Sequence, residues 1–90
     1  MPDNPIRKRI VVVDDDTSYR AFIENLLEME GFKPVGYANP KDALKNISRL
    51  YAIPSLIIVD FNMDGMNGFE FIREFRRRNG SHAITSTKPV

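Results

Sequence analysis

The sequence predicts an open α/β fold built on a parallel sheet, from two observations. Ile10-Val11-Val12-Val13 and Leu56-Ile57-Ile58-Val59 are unbroken apolar tetrads, and each ends at an aspartate, Asp14 or Asp60. A strand without polar alternation is expected where both faces are buried, as in a parallel sheet flanked by helices. Around these tetrads apolar residues recur at helical spacing, so the order reads β-α-β-α-β-α. Strands alternating with helices imply parallel pairing through right-handed crossovers.

Each element has its own signals. Residues 1–6, with two prolines, read as a flexible leader. Tyr19, Phe22, Ile23, Leu26, Leu27 and Met29 give the first helix an apolar stripe. Asp16 or Thr17 can cap its start, and Gly31 suits the left-handed position after its end. Phe32 to Tyr37 forms a second strand that Pro34 assigns to a sheet edge. Asn39-Pro40 reads as N-cap and first helical residue, with Asp42 in the first turn. Ala43, Leu44, Ile47 and Leu50 form that helix's apolar face, and Pro54 stops it. After the tetrad ending at Asp60 comes a loop rich in Asn, Asp, Gly and Met. The third helix carries Phe69, Ile72 and Phe75 as a core-facing stripe, and Arg76-Arg77-Arg78 complements the dipole at its end. Residues 79–90 read as a loop leading to a fourth strand that starts at Lys88-Pro89-Val90.

Ninety residues make one domain, 1–90, near the small end of what buries a sufficient core. A net charge of +1, from 13 basic and 12 acidic residues, points to neither nucleic acid nor membrane as partner. There is no cysteine, so disulfides, thiolate metal sites and cysteine nucleophiles are excluded. The longest apolar run is four residues, against roughly 20 for a bilayer span. A soluble cytoplasmic chain is expected.

The chemistry sits in the aspartates. In open α/β sheets the site lies outside the carboxyl ends of the strands, where strand order reverses. If the first and third strands are neighbours, Asp14, Asp15 and Asp60 converge in one crevice. Three close carboxylates repel, and a hard dication resolves the conflict. Mg²⁺ takes oxygen ligands in octahedral geometry and uses one or two carboxylates together with water and a phosphate oxygen. Beside that ion an aspartate becomes a usable nucleophile toward a phosphoryl group. Taken singly, Asp14-Asp15 would be a solvated turn and Asp16 a helix cap. Their coincidence with Asp60 at a second strand end, followed by Asn62 and Gly68, favours the functional reading.

At these residues the sequence resembles a known family. Ile10 to Asp16 is similar to the first strand and acidic pair of response-regulator receiver domains of two-component signalling. Leu56 to Gly68 is similar to their third strand and phosphorylation loop. The resemblance implies a flavodoxin-like topology with a 2-1-3 strand order. It implies Asp60 as phosphoacceptor, Asp15 as a direct Mg²⁺ ligand and Asp14 as a residue holding the ion through water. Asn62 matches the position that ligates through its backbone carbonyl. The implied donor is a sensor histidine kinase or phosphotransfer protein. The implied output is a signalling switch that loses its phosphate by slow hydrolysis, not a turnover enzyme.

The match departs in places. The family usually runs to roughly 120 residues, within the common domain range, so the C-terminal third is expected to be absent. The hydroxyl that reads the acyl phosphate would fall at position 90, which is Val90, and the lysine after a fifth strand has no counterpart. A rival alignment makes Lys88-Pro89 the end of that fifth strand, at the cost of a deleted strand and helix. An uncovered third-strand edge would invite a homo-oligomer. Asp64 and Asn67 stand where the family often has proline and aspartate; Asn67 can still cap the third helix. Met63 and Met66 are expected as local packing, and His82 as a solvated residue without a role. An alternative is a non-phosphorylating interaction or dimerisation module. An aspartyl phosphatase of another α/β family fits less well, because Asn62 fills the place of its second aspartate.

Overall fold

The two apolar tetrads form adjacent central strands, β1 (Arg9–Val13) and β3 (Leu56–Asp60). The computed structural model describes residues 7–47, 54–79 and 84–88. Four parallel strands lie in the order β2-β1-β3-β4, with β2 at Lys33–Tyr37 and β4 at Ile84–Lys88. The expected 2-1-3 order is present, with β2 and its Pro34 at an edge. The fourth strand departs from expectation: it occupies Ile84–Lys88 rather than beginning at Lys88. Ile84, Thr85 and Thr87 are β-branched and suit a strand, and pairing there satisfies the backbone groups of β3. Thus β3 is flanked on both sides, and the open edge expected on it is closed by β4. The leader, Leu50, His82, Pro89 and Val90 lie outside the described residues.

Connections fix which face each helix covers. The step from β1 to β2 runs one way along the sheet, and the steps to β3 and β4 run the other. With right-handed crossovers, α1 (Thr17–Met29) lies on one face, and α2 (Pro40–Ile47) and α3 (Gly68–Asn79) on the opposite one. Side chains alternate along a strand, so Val11, Val13, Ile57 and Val59 point to the α2–α3 face. There they form the core with Ala43, Leu44, Ile47, Met63, Phe71 and Phe75. Ile10 and Val12 are equally buried but turn toward α1.

The helix ends follow their signals. Asp16 caps α1, accepting the Tyr19 N–H at 3.1 Å. Gly31 follows α1 with φ +91°, which residues with a Cβ rarely adopt. Asn39 caps α2 through Oδ1, which receives the Lys41 N–H at 2.8 Å. Asn67 and Glu70 form a reciprocal box at the start of α3: Glu70 N–H to Asn67 Oδ1 at 2.9 Å, and Asn67 N–H to Glu70 Oε1 at 2.8 Å.

Helix phase is where expectation and structure part. In α3 the inward residues are Phe71 and Phe75, both with no exposed surface, whereas Phe69 is 62% exposed. With the start set at Gly68 by the Asn67 cap, the buried positions run Gly68, Phe71 and Phe75, and Phe69 lands one residue out of phase. Ile72 stays half-buried against the core. Similarly, α1 buries no residue fully. Tyr19, Ile23 and Leu27 turn partly inward, while Phe22, Leu26 and Met29 face outward.

Candidate functional site

Parallel register delivers the aspartates together. Val13 pairs with Val59, so the next residue on each strand, Asp14 or Asp60, emerges at the same level of the carboxyl edge. Asp15 follows Asp14 into the mouth of the crevice. One carboxylate oxygen from each of Asp14, Asp15 and Asp60 lies within 4.8 Å of the others. All three members of the cluster are among the residues that the sequence predicts for the site.

Burial grades across the set. Asp14 is 2% exposed, Asp60 half-buried and Asp15 exposed. Asp14 is fixed on several sides: its N–H donates to the Tyr37 carbonyl at 3.0 Å, and its Oδ1 accepts the Asp16 N–H at 2.9 Å. Its carbonyl accepts Arg20 Nη1 at 2.7 Å. Arg20 was not anticipated; the signal was its position one turn into α1, within reach of the strand end. Asn62 is exposed, and its N–H donates to Asp60 Oδ1 at 3.3 Å.

The loop after Asp60 is held at both ends. The Gly68 N–H donates to the Phe61 carbonyl at 2.9 Å, and Phe61 meets Phe69 edge to face, with ring centroids 5.1 Å apart at 85°. Met63 is buried in the core with Met66 packed against it, as expected of local packing. Gly65 takes φ +86° at the turn. Asp64 is exposed and is not one of the three clustered carboxylates. The Phe61–Phe69 contact has no signal in the sequence, where the stripe of Phe69, Ile72 and Phe75 predicts that Phe69 faces the core.

Residues 10–88 match the response regulator receiver domain family. The chain belongs to that family. It is similar to the transcriptional regulatory protein FlgR of Helicobacter pylori, at 35% identity over 78 residues, which is 86% of this chain and 20% of FlgR. It is also similar to the DNA-binding response regulator MtrA of Mycobacterium tuberculosis, at 35% over 82 residues, 91% of this chain and 35% of MtrA. Among solved structures, the chemotaxis protein CheY4 of Vibrio cholerae superposes with a TM-score of 0.84 at 25% identity, over 91% of this chain and 68% of that one. The receiver therefore spans only 20–35% of the length of these two curated relatives.

The donor set of this receiver fits a hard dication. Octahedral Mg²⁺ with oxygens at about 2.0–2.1 Å keeps its ligand oxygens no more than about 4.2 Å apart. Carboxylate oxygens already within 4.8 Å of one another meet that limit after small side-chain movements. The exposed side of Asp15 leaves room for the waters such an ion retains. Among the described residues no helix is long and apolar enough to cross a membrane.

Proposed function

We propose that this receiver accepts a phosphoryl group on Asp60 from the phosphohistidine of a sensor histidine kinase or phosphotransfer protein, and acts as a cytoplasmic signalling switch. The observation that carries the reading is the gathering of Asp14, Asp15 and Asp60 at the carboxyl ends of adjacent strands. In this proposal Asp14, Asp15 and Asp60, with the backbone carbonyl of Asn62, hold Mg²⁺. The ion supplies charge compensation for an anionic nucleophile meeting an anionic phosphoryl group.

The remaining work belongs to the chain. Asp60 Oδ attacks phosphorus; the P–O bond forms as the P–N bond breaks, and the departing imidazole nitrogen takes up a proton. Water later cleaves the acyl phosphate, returning the carboxylate and inorganic phosphate, so the domain is reset without being a turnover enzyme. The Asn62 N–H steadies the Asp60 carboxylate, and the closed loop from Phe61 to Gly68 keeps Asp60 aimed into the crevice. Burial of Asp14 holds the floor of the site in place, while the half-buried Asp60 remains accessible to a donor.

The test is the intact mass of the chain after incubation with a small phosphodonor such as acetyl phosphate, with and without Mg²⁺. Gain of one phosphoryl group that needs Mg²⁺ and disappears in Asp60→Asn supports the proposal. A folded chain that gains nothing, yet binds a kinase equally well with and without phosphodonor, would establish the non-phosphorylating module instead.

A further inference from the structure

We infer that Arg20 is a positioning residue for the three-aspartate site, and that Gly36 leaves the gap through which it reaches that site. The inference rests on the reading of Asp14, Asp15 and Asp60 as a Mg²⁺ site. Arg20 is the fourth residue of α1, whose first turn holds no acid. A cation so near a helix N-terminus works against the dipole, so the helix itself gives no reason for an arginine there. The reason lies at the end of β1.

Strands β1 and β2 end together, with Val13 paired to Tyr37. Just beyond that pair the Asp14 N–H donates to the Tyr37 carbonyl at 3.0 Å. The Asp14 carbonyl belongs to the peptide that leads on to Asp15, and it accepts Arg20 Nη1 at 2.7 Å. A charge-assisted bond of that length is among the stronger hydrogen bonds. It ties the peptide between two of the three carboxylates to a rigid helix. Asp15 is exposed, so its distance from Asp60 is set by its backbone, and Arg20 grips that backbone.

Gly36 makes the reach possible. It pairs with Val12, on the face of the sheet that α1 covers. Arg20 and Glu24, one turn apart on α1, lie over it. A Cβ on Gly36 would overlap Glu24 Oε2 and stand 3.2 Å from Arg20 Cδ, tighter than ordinary van der Waals contact. Among the described glycines only Gly31 and Gly65 have positive φ. The backbone at Gly36 therefore does not call for glycine; the space does. A side chain there would lift the Arg20 stem away from β2 and its guanidinium away from Asp14.

Arg20 acts on a bound cation in two opposing ways. Its charge repels Mg²⁺, while its hydrogen bond holds the ligands in place. The guanidinium is half-buried, so solvent and salt screen the repulsion, whereas the 2.7 Å bond acts directly. Positioning wins, and loss of Arg20 weakens the hold on the ion. Removing a group that orients a metal ligand costs about 10–100-fold in affinity. Arg20 grips backbone and not a ligand oxygen, so the lower end of that range is expected.

The experiment is isothermal titration calorimetry of the full chain with Mg²⁺, beside amide hydrogen exchange in chelator. The variants are Arg20→Met, which keeps an apolar stem without charge or donors, Arg20→Lys, Gly36→Ala, and Gly36→Ala combined with Arg20→Met. Circular dichroism checks that each stays folded. Arg20→Met should bind Mg²⁺ about 10-fold more weakly than the parent, with Arg20→Lys between them. Gly36→Ala should weaken binding in the parent but not in the Arg20→Met background, because Gly36 acts through Arg20. In chelator the Asp14 and Asp16 amides of Arg20→Met should lose protection while the Val12 amide keeps it; a merely structural arginine would move all three together. Arg20→Met binding as tightly as the parent, or more tightly, would overturn the inference. So would effects of Gly36→Ala and Arg20→Met that simply add. A parent that takes up no Mg²⁺ would refute the metal reading itself. In that event loss of protection at Asp14 and Asp16 would still support the grip of Arg20 on the site, and unchanged protection would overturn it.

Discussion

Asp60→Asn should stabilise the metal-free receiver and remove most of its response to Mg²⁺. The oxygens of Asp14, Asp15 and Asp60 lie within 4.8 Å of one another. At that distance two like unit charges repel by about 0.9 kcal/mol in bulk water and by about 3.5 kcal/mol at an effective dielectric near 20. Exposed Asp15 keeps its pair with Asp60 toward the lower figure, while Asp14, 2% exposed, moves its pair toward the upper one. Asparagine has nearly the same shape, and its Oδ1 can keep the hydrogen bond that Asn62 now donates at 3.3 Å. The net gain without metal is therefore about 1–3 kcal/mol. For a domain of this size each kcal/mol is worth about 4–8 °C in Tm. The assay is thermal melting by circular dichroism, first in chelator and then across a Mg²⁺ titration. Mg²⁺ at about 100 times its Kd should stabilise the parent by about 2.7 kcal/mol, and the variant by much less. If Asp60→Asn melts below the parent in chelator, or the parent ignores Mg²⁺, the three carboxylates are not a strained, cation-seeking set and the reasoning fails.

Three further outcomes test the fold that carries the site. Phe71→Ala should cost about 3–5 kcal/mol in a urea melt, because Phe71 has no exposed surface. Phe69→Ala should cost no more than about 1.5 kcal/mol, the worth of its edge contact with Phe61; the reverse order would mean that the phase of α3 is wrong. Asn67→Ala removes the α3 cap and should cost about 1 kcal/mol, whereas Asn67→Asp should retain it, again read from urea midpoints. Hydrogen bonds from Arg77 and Arg78 hold the Glu74 carboxyl at about 2, below its usual 4.5. A depressed carboxyl stabilises the fold above its unfolded value, and that contribution fades as pH falls from about 4.5 through about 2. Glu74→Gln should accordingly melt below the parent at pH 7, the difference shrinking as pH falls below about 4.5 and vanishing only below about 2.

The legible parts of this receiver were those with local chemical causes. Asp16, Asn39 and Asn67 are caps because a short side-chain acceptor meets unpaired N–H groups, and Gly31 follows a helix because its φ of +91° is one that residues with a Cβ rarely adopt. The helix phases were less legible. Phe69 and Phe71 are equally apolar and lie two residues apart, so composition does not say which one faces the sheet. The Asn67–Glu70 box decides it by fixing where the first turn begins. On α1 the sequence offers six large apolar residues, more than one helix can turn toward β1 and β2, and packing selects Tyr19, Ile23 and Leu27.

The sequence by itself determined the parallel α/β architecture and the candidate site, because two unbroken apolar tetrads fit strands buried on both faces and each ends in aspartate. A buried parallel strand must be apolar on both faces, and its carboxyl end is where polar residues can first meet water. Tertiary structure alone decided the distances and the neighbours. The pairing of Val13 with Val59 brings Asp14 and Asp60 to one level, and no local signal encodes that register. It also decided that Ile84–Lys88 closes the edge of β3, since a weakly patterned segment becomes a strand only when a partner offers its backbone hydrogen bonds. The burial of Asp14 beside exposed Asp15 has the same origin: two identical neighbours in sequence differ only in what the fold packs around them.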